Sequence, residues 1–306
     1  MSSAPKRHDL DQSTKDVSIG VAISTVGRPR ELARCLESLI NGTRQPVEVV
    51  VVDQGTDGEI ERVVAGAAEA GLHVTHVAQP RLGLGAGQNV AVAGTRTDIV
   101  AVIDDDCVAH NQWVDSIVGV LVANGGPDVV TGPVLPLPPE ADRQLPVSTR
   151  TSRDARIFVG PSAPWHVGSG NNFAFKRPWF DAIGGCDARL GPGSPGRGGV
   201  DMDLFYRLLR AGAVIRYDPT AIVYHSRATP ADRRARRGPY GYGMGACSML
   251  WYRDGDRRGL RILVEWLAFR TSLLARALAT RNWRAAHEEI LVLGGTLAGI
   301  HHGLRA

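Results

Sequence analysis

A wound α/β sheet, mostly parallel and followed by a helical C-terminal extension, is the architecture this sequence predicts. Three observations predict it. Apolar, β-branched runs alternate with stretches of helical period from Val17 to Ile103. Those runs are almost unbroken in Val and Ile, as strands buried on both faces are in parallel sheets. Acidic residues follow two of the runs directly, at the strand ends where wound sheets bind ligands.

The elements follow in order. Residues 1–16 are polar and predict a disordered tail. Val17–Ser24 is a strand. Pro29–Leu39 is a helix with Leu32, Leu36 and Leu39 on one face. Val47–Val52, Leu72–Val77 and Ile99–Ile103 are further strands, separated by helices over Glu59–Ala70 and Gln88–Ala93. The proline-rich Pro133–Pro146 is a loop, and Asn172–Lys176 a strand. Gly191–Gly199 is a glycine-rich loop, expected to be mobile without ligand. Asp201–Arg210 is a helix closed by Gly212. Ala213–Tyr217 and Ala221–His225 are short strands, and Leu260–Ala279 and Trp283–Leu293 are helices. The domain reading is a catalytic domain over 17–252, split into a donor half (17–133) and an acceptor half (134–252), with an extension over 253–306.

With 306 residues, 43% hydrophobic and 22% charged, the chain can bury a substantial core. A net charge of +4 suits an anionic substrate or a membrane surface and gives no reason to expect nucleic acid. Cys35, Cys107, Cys186 and Cys247 form no CxxC pair, which argues against a zinc site. The N-terminal residues lack an apolar signal core, so a cytoplasmic setting is expected.

The strongest chemical signal is Asp104-Asp105-Asp106, directly after the run AVI. Three adjacent carboxylates repel one another unless a cation is present. If side chains alternate at a strand end, Asp104 and Asp106 point the same way and can share Mg²⁺ or Mn²⁺ with a diphosphate. The competing reading is a solvated acidic turn. Asp53 ends the second run, either as a ribose or base partner or as the turn former before Gln54-Gly55. The glycines at 83, 85 and 87 follow the third strand, so a dinucleotide fingerprint fails on order, and a flexible turn is expected at Gly83. Gln88 and Asn89 are candidates to face a donor. Asp201 and Asp203 open a helix, as caps or as a general base. His225 ends the run AIVYH and can complete a metal shell begun by Asp106, with Arg227 two residues on as a phosphate contact.

These segments resemble the family-2 glycosyltransferases, an inverting group with the GT-A fold, over roughly residues 17–252. VSIGVAISTVGRPRELARCLESL resembles the family's opening strand and helix, and VVVDQGTDG its donor element. GLGAGQNVAVAGTRTDIVAVIDDDC is similar to the stretch leading to its DxD motif. GSGNNFAFKRPWFDAIGGCDARLG is similar to its acceptor-side segment. GGVDMDLFYRLLRAG and YDPTAIVYHSR resemble its catalytic helix and its strand ending in His. The resemblance implies transfer of a sugar from a nucleotide-diphosphate sugar to the hydroxyl of a glycan, lipid-linked sugar or small metabolite. It implies donor contacts at Thr25, Arg28, Asp53, Gln88, Asn89, Asp104 and Asp105, metal (Mn²⁺ or Mg²⁺) at Asp106 and His225, and a base at Asp201 or Asp203. Trp165, Asn171 and Arg197 of the Gly191–Gly199 loop would line the acceptor side.

The family's usual Glu before the base is Val200 here, and its Arg-Asn pair is Gln88-Asn89. Those departures leave open which Asp is the base, and leave a retaining transferase or a non-catalytic nucleotide-sugar-binding protein as alternatives. No QxxRW signature is present, so single-sugar transfer is expected. The basic run Arg233–Arg237 reads as a solvated turn or as a contact with anionic lipid. The helix from Leu260 packs on the domain or lies on a membrane, at the inner face. A homodimer is left open.

Overall fold

The structure, a computed structural model, describes residues 17–305 apart from Asp57. The expected tail, 1–16, lies outside the described residues. Strands β1 (Ile19–Thr25), β2 (Glu48–Asp53), β3 (Val74–Ala78) and β4 (Ile99–Ile103) are joined by helices α1 (Pro29–Ile40), α2 (Glu59–Glu69) and α3 (Leu84–Gly94). A short strand β5 (Cys107–Ala109), helix α4 (Trp113–Val122), and strands β6 (Val129–Thr131), β7 (Val134–Pro136) and β8 (Arg156–Phe158) come next. They are followed by β9 (Asn172–Lys176), α5 (Arg177–Ala182), α6 (Val200–Arg210), β10 (Ile215–Tyr217) and β11 (Val223–His225). Helices α7 (Pro230–Arg253), α8 (Arg258–Ala279) and α9 (Trp283–Arg305) close the chain.

The main sheet has eight strands in the order β3-β2-β1-β4-β9-β6-β10-β8. β1 to β4 run parallel, while β9 is antiparallel to both of its neighbours. Alternation along the strands sends side chains into two cores. Val21, Ile23, Val49, Val51, Ala101 and Ile103 pack under α1, α2 and α4, whereas Ala22, Val50, Val52, Val100 and Val102 face α3 and α6. Both faces are covered, which is why these runs carry no polar alternation. The chain builds outward from β1 to β3, then crosses back to place β4 on the other side of β1. That reversal opens a crevice at the carboxyl ends of β1 and β4.

Three elements differ from expectation. Helix α3 begins at Leu84 rather than at Gln88, so Gly85 and Gly87 lie inside it. Packing overrides their poor helix propensity: a Cβ on Gly87 would fall 2.2 Å from Ser24 Oγ and 2.4 Å from Gln54 Nε2. The proline-rich loop opens with β7, recruited by parallel pairing with β11. The basic run lies inside the long helix α7, where Arg233 and Arg237 pair with Glu288 of α9. Arg237 also pairs with Glu289.

The α7–α9 contact is made backbone to backbone. A Cβ on Gly241 would sit 2.0 Å from the Val292 carbonyl oxygen, and one on Gly299 would sit 2.0 Å from that of Tyr242. Small residues four apart allow this approach. By contrast, a Cβ on Gly294, also in α9, meets nothing within 4 Å. Gly294→Ala should therefore stabilise the protein by ~1 kcal/mol through helix propensity. Gly299→Ala should destabilise it by about 2 kcal/mol or more through overpacking. Paired urea melts check this; equal effects of the two substitutions would contradict the packing described.

Candidate functional site

The crevice between β1 and β4 is where the acidic triplet lies. Alternation puts Ile103 on the α1 side of the sheet, but the chain leaves the strand at Asp104 and turns, with the Cys107 N–H donating to the Asp104 carbonyl at 3.1 Å. The turn, rather than strand alternation, therefore sets where Asp106 goes. Asp105 is buried on the α1 side. Its Oδ2 accepts from the Thr25 hydroxyl at 2.6 Å and its Oδ1 from Arg28 at 2.8 Å. Arg28, at the N-terminus of α1, also donates to Asp106 Oδ2 at 2.8 Å. Thr25 is 1% exposed and its hydroxyl is committed to Asp105, whereas the Arg28 side chain remains 44% exposed.

The small sheet β5-β11-β7 carries the next part. Its register sets His225 opposite Cys107, and so beside Asp106. His225 Nε2 lies 3.4 Å from Asp106 Oδ1. His225 Nδ1 lies 2.5 Å from the Ser226 carbonyl oxygen, which accepts only if Nδ1 carries the proton. That tautomer leaves Nε2 with a free lone pair. Among the described residues, Asp106 Oδ1 is buried without a hydrogen-bond partner. Asp106, Cys107 and His225 each offer a ligand atom, all within 4.8 Å of one another. An orphaned carboxylate oxygen facing an imidazole lone pair is a donor set that fits a divalent cation.

Electrostatics agree. Burial first, then Asp106 and Asp105, push the Asp104 carboxyl well above its usual range. Burial pushes Asp105 up to about 6, against the opposing pull of Arg28.

Asp201 and Asp203 are placed differently by α6. Asp201 sits in the first turn and is half-buried; its Oδ2 accepts from the Gly170 N–H at 3.1 Å and its Oδ1 from the Met202 N–H at 3.0 Å. Its charge reaches Asp104 across the crevice. Burial raises its pKa, partly offset by those two N–H groups and by Arg150. Asp203 is 3% exposed and fully engaged, holding Arg207 with Oδ2 and the Trp251 indole with Oδ1 at 2.8 Å.

The remaining candidates are spread around this centre. Asp53 is buried and forms a turn, accepting from the Gly55 N–H at 2.7 Å, with His76 at 3.5 Å. Gln88 is buried, with the Cys186 thiol at 3.5 Å, and Asn89 clamps the Cys186 backbone from both sides at 2.8 and 2.9 Å. Arg227 donates to the Leu137 carbonyl. Trp165 and Asn171 are buried, and each keeps one unpartnered polar atom among the described residues, Nε1 and Oδ1 respectively. The Gly191–Gly199 loop is tied internally, with Gly191 bonded to Gly198 and Ser194 to Gly191 and Arg189. Within it Arg197 is exposed and lies over the Tyr242 ring at 4.8 Å. All four cysteines are free and buried.

Sequence reasoning missed Gln54, Arg150 and Cys107. Gln54 fastens the Gly83 turn, accepting from the Leu82 and Gly83 N–H groups and donating to Ser24 and the Gly83 carbonyl. Arg150 holds the Trp165 and Gly168 carbonyls behind Asp201. Only Cys107 had a signal, its position directly after the triplet.

A mostly parallel sheet with its acidic rim at the switch point, capped by C-terminal helices, is the GT-A type of fold. The family model described as "Glycosyl transferase family 2" matches residues 20–184, and the chain belongs to that family. The chain is similar to the pre-mycofactocin glycosyltransferase of Mycobacterium tuberculosis, at 28% identity over 257 residues, covering 80% of this chain and 49% of the relative. It is similar to a glucosyl-dolichyl phosphate glucuronosyltransferase of Haloferax volcanii at 27% identity, covering 57% of each. The chain thus spans about half the length of these curated relatives. Among solved structures, the fold is shared with the mannosyltransferase PcManGT of Pyrobaculum calidifontis in complex with GDP-Man and Mn²⁺. That likeness has a TM-score of 0.62 at 19% identity and covers 92% of this chain and 87% of that one. S. aureus TarS 1–349 in complex with UDP-GlcNAc shares it with a TM-score of 0.56 at 15% identity, over 74% and 66%.

Asp105 gives the site a signed pH dependence. Its folded pKa of about 6 lies above the usual unfolded value of about 3.9, so the native state binds the extra proton. The resulting stabilisation is full below about pH 4 and is lost as pH rises through about 6. A divalent cation held there would compete with protons for this cluster. Saturating Mn²⁺ should therefore raise the melting temperature by about 5 °C near pH 7.5 and by much less near pH 5. A thermal-shift series checks this, and an equal or larger shift at pH 5 would contradict it.

Proposed function

We propose that this chain is a metal-assisted, inverting glycosyltransferase that moves one sugar from a nucleotide-diphosphate sugar to an acceptor hydroxyl. The observation that carries the proposal is the arrangement across the crevice. One wall is a carboxylate cluster with an unsatisfied oxygen beside an imidazole, and the other holds a lone half-buried carboxylate at a helix start. Asp106 and His225 would hold Mn²⁺ or Mg²⁺, which when bound neutralises charge on the departing diphosphate.

The chain's own residues do the rest. Arg28, half exposed and bonded to Asp105 and Asp106, fixes the cluster and offers a cation to the donor phosphates. Asp53, Gln88 and Asn89 shape the donor side through the turns they hold. Asp201 takes the acceptor proton. Burial raises its pKa, while the Gly170 and Met202 N–H groups stabilise the ionised form and pull the other way. The acceptor oxygen then attacks the anomeric carbon from the side opposite the diphosphate, which inverts the centre. Asp203 positions Arg207 and Trp251 instead of reacting. Trp165 Nε1 and Asn171 Oδ1 are each unpaired in a buried setting, a state costing ~1–3 kcal/mol per group, and an acceptor hydroxyl would relieve it. The acceptor class is a glycan, a lipid-linked sugar or a small metabolite.

Asp201→Asn should lower transfer about 1000-fold or more while changing donor affinity less than about twofold, since it removes only the proton acceptor. Asp203→Asn should lower the melting temperature, by breaking the Arg207 and Trp251 bonds, and reduce transfer only in proportion to the folded fraction. Initial rates, nucleotide-sugar calorimetry and anomeric NMR of the product check these expectations. Unimpaired transfer by Asp201→Asn would sink the base assignment, and retention at the anomeric carbon would sink the inverting mechanism.

A further inference from the structure

Thirteen large apolar side chains are exposed among the described residues, and seven of them lie on α8 and α9, so exposure is concentrated on one helical hairpin. On α9 they are Trp283 (67% exposed), Ile290, Leu297 and Leu304. Their seven-residue spacing drifts by only about 20° per step, so they form one stripe along the helix. On α8 the exposed set is Leu260, Val264 and Leu278. The opposite faces of both helices are buried, with Trp266 and Ile262 of α8 and Val292 and Thr296 of α9 packed inward. The outward stripes are therefore surplus to the core. Monomeric proteins seldom leave such stripes bare without a partner.

The charges beside the stripes are mostly positive, with Asp254 and Asp256 just before α8 and Glu265 within it as the acidic exceptions. Arg257, Arg258 and Arg261 surround the start of α8, and Arg276, Arg281 and Arg284 surround the turn into α9; all six are exposed. The acidic residues of these helices are Glu265, Glu288 and Glu289. Glu288 and Glu289 are buried and paired with arginines of α7 and α8, leaving Glu265, half-buried and paired with Arg261, as the acidic group that reaches the surface of these helices. An apolar stripe bordered by arginine complements a surface that is apolar inside and anionic at its edge. A second copy of the same face would set arginine against arginine. No helix among the described residues is long and apolar enough to cross a membrane.

We propose that the exposed face of the α8–α9 hairpin docks on an anionic phospholipid surface, with Trp283, Ile290 and Leu297 in the headgroup boundary and the arginines on lipid phosphates. The hairpin lies on the bilayer rather than through it. This surface stands independently of the sugar-transfer reading, because none of its residues belongs to the crevice.

Vesicle sedimentation tests it, using phosphatidylcholine vesicles with and without about one-third phosphatidylglycerol. The protein should bind the anionic vesicles at least about tenfold more tightly than the neutral ones, and high salt should weaken that binding. The combined variant Trp283→Ser, Ile290→Ser, Leu297→Ser should lose about tenfold or more of the affinity with an unchanged circular-dichroism melt. The variant Arg276→Gln, Arg281→Gln, Arg284→Gln should lose the preference for anionic lipid. Equal binding by the wild type and both variants would overturn the proposal. So would absence of vesicle binding, and a concentration-dependent dimer abolished by the Ser variant would then assign the face to a second copy.

Discussion

Crowding of like charge at the carboxyl end of β4 is the constraint around which this molecule is arranged. Asp104, Asp105 and Asp106 leave the strand together at the point where the sheet reverses its order, and burial prevents water from separating their charges. The fold answers in two ways. It supplies a partial counter-charge from Arg28 and the Thr25 hydroxyl, which anchor Asp105. It leaves Asp106 Oδ1 without a hydrogen-bond partner among the described residues, 3.4 Å from His225 Nε2, a pair of donor atoms suited to a cation. A small sheet of three strands serves this arrangement, since pairing of β5 with β11 is what brings His225 back to the triplet.

The opposite wall is held by tight backbone packing. A Cβ on Gly170 would lie 2.8 Å from Asp201 Cβ, so only glycine lets the two segments meet. Gly199, at φ +81°, starts α6 against Cys247 and Gly243 of α7. α7 in turn rests on α9 through Gly241 and Gly299. The position of Asp201 thus depends on helices far along the chain. Asp203 adds a polar bolt by tying α6 to the Trp251 indole.

Much of this was legible in the sequence. The parallel half of the sheet announced itself because both of its faces are covered, and the acidic triplet and His225 stood out because each directly follows a strand. The helix over Gly85 and Gly87 was not legible, since glycine signals a turn locally and only close approach to Ser24 and Gln54 explains it. Short strands such as β6, β7 and β8 are defined by their pairing partners rather than by any pattern in three residues. Helix α7 was hidden by Pro239, its four glycines and its arginines, which suit a turn until Glu288 and Glu289 are known to face them. The distinction between Asp201 and Asp203 was likewise tertiary, because only the position of Trp251 and Arg207 shows which carboxylate is spent on structure. The glycine loop expected to be mobile carries hydrogen bonds of its own and packs closely on α7.

The proposed metal site can be tested most directly by pulsed electron paramagnetic resonance of Mn²⁺ with the protein and a nucleoside diphosphate. An imidazole nitrogen bound to Mn²⁺ imprints a ¹⁴N modulation on the echo. The account predicts that modulation in the wild type, its loss in His225→Gln, and loss of bound Mn²⁺ itself in Asp106→Ala. Bound Mn²⁺ with no nitrogen coupling, or coupling that survives His225→Gln, would contradict it.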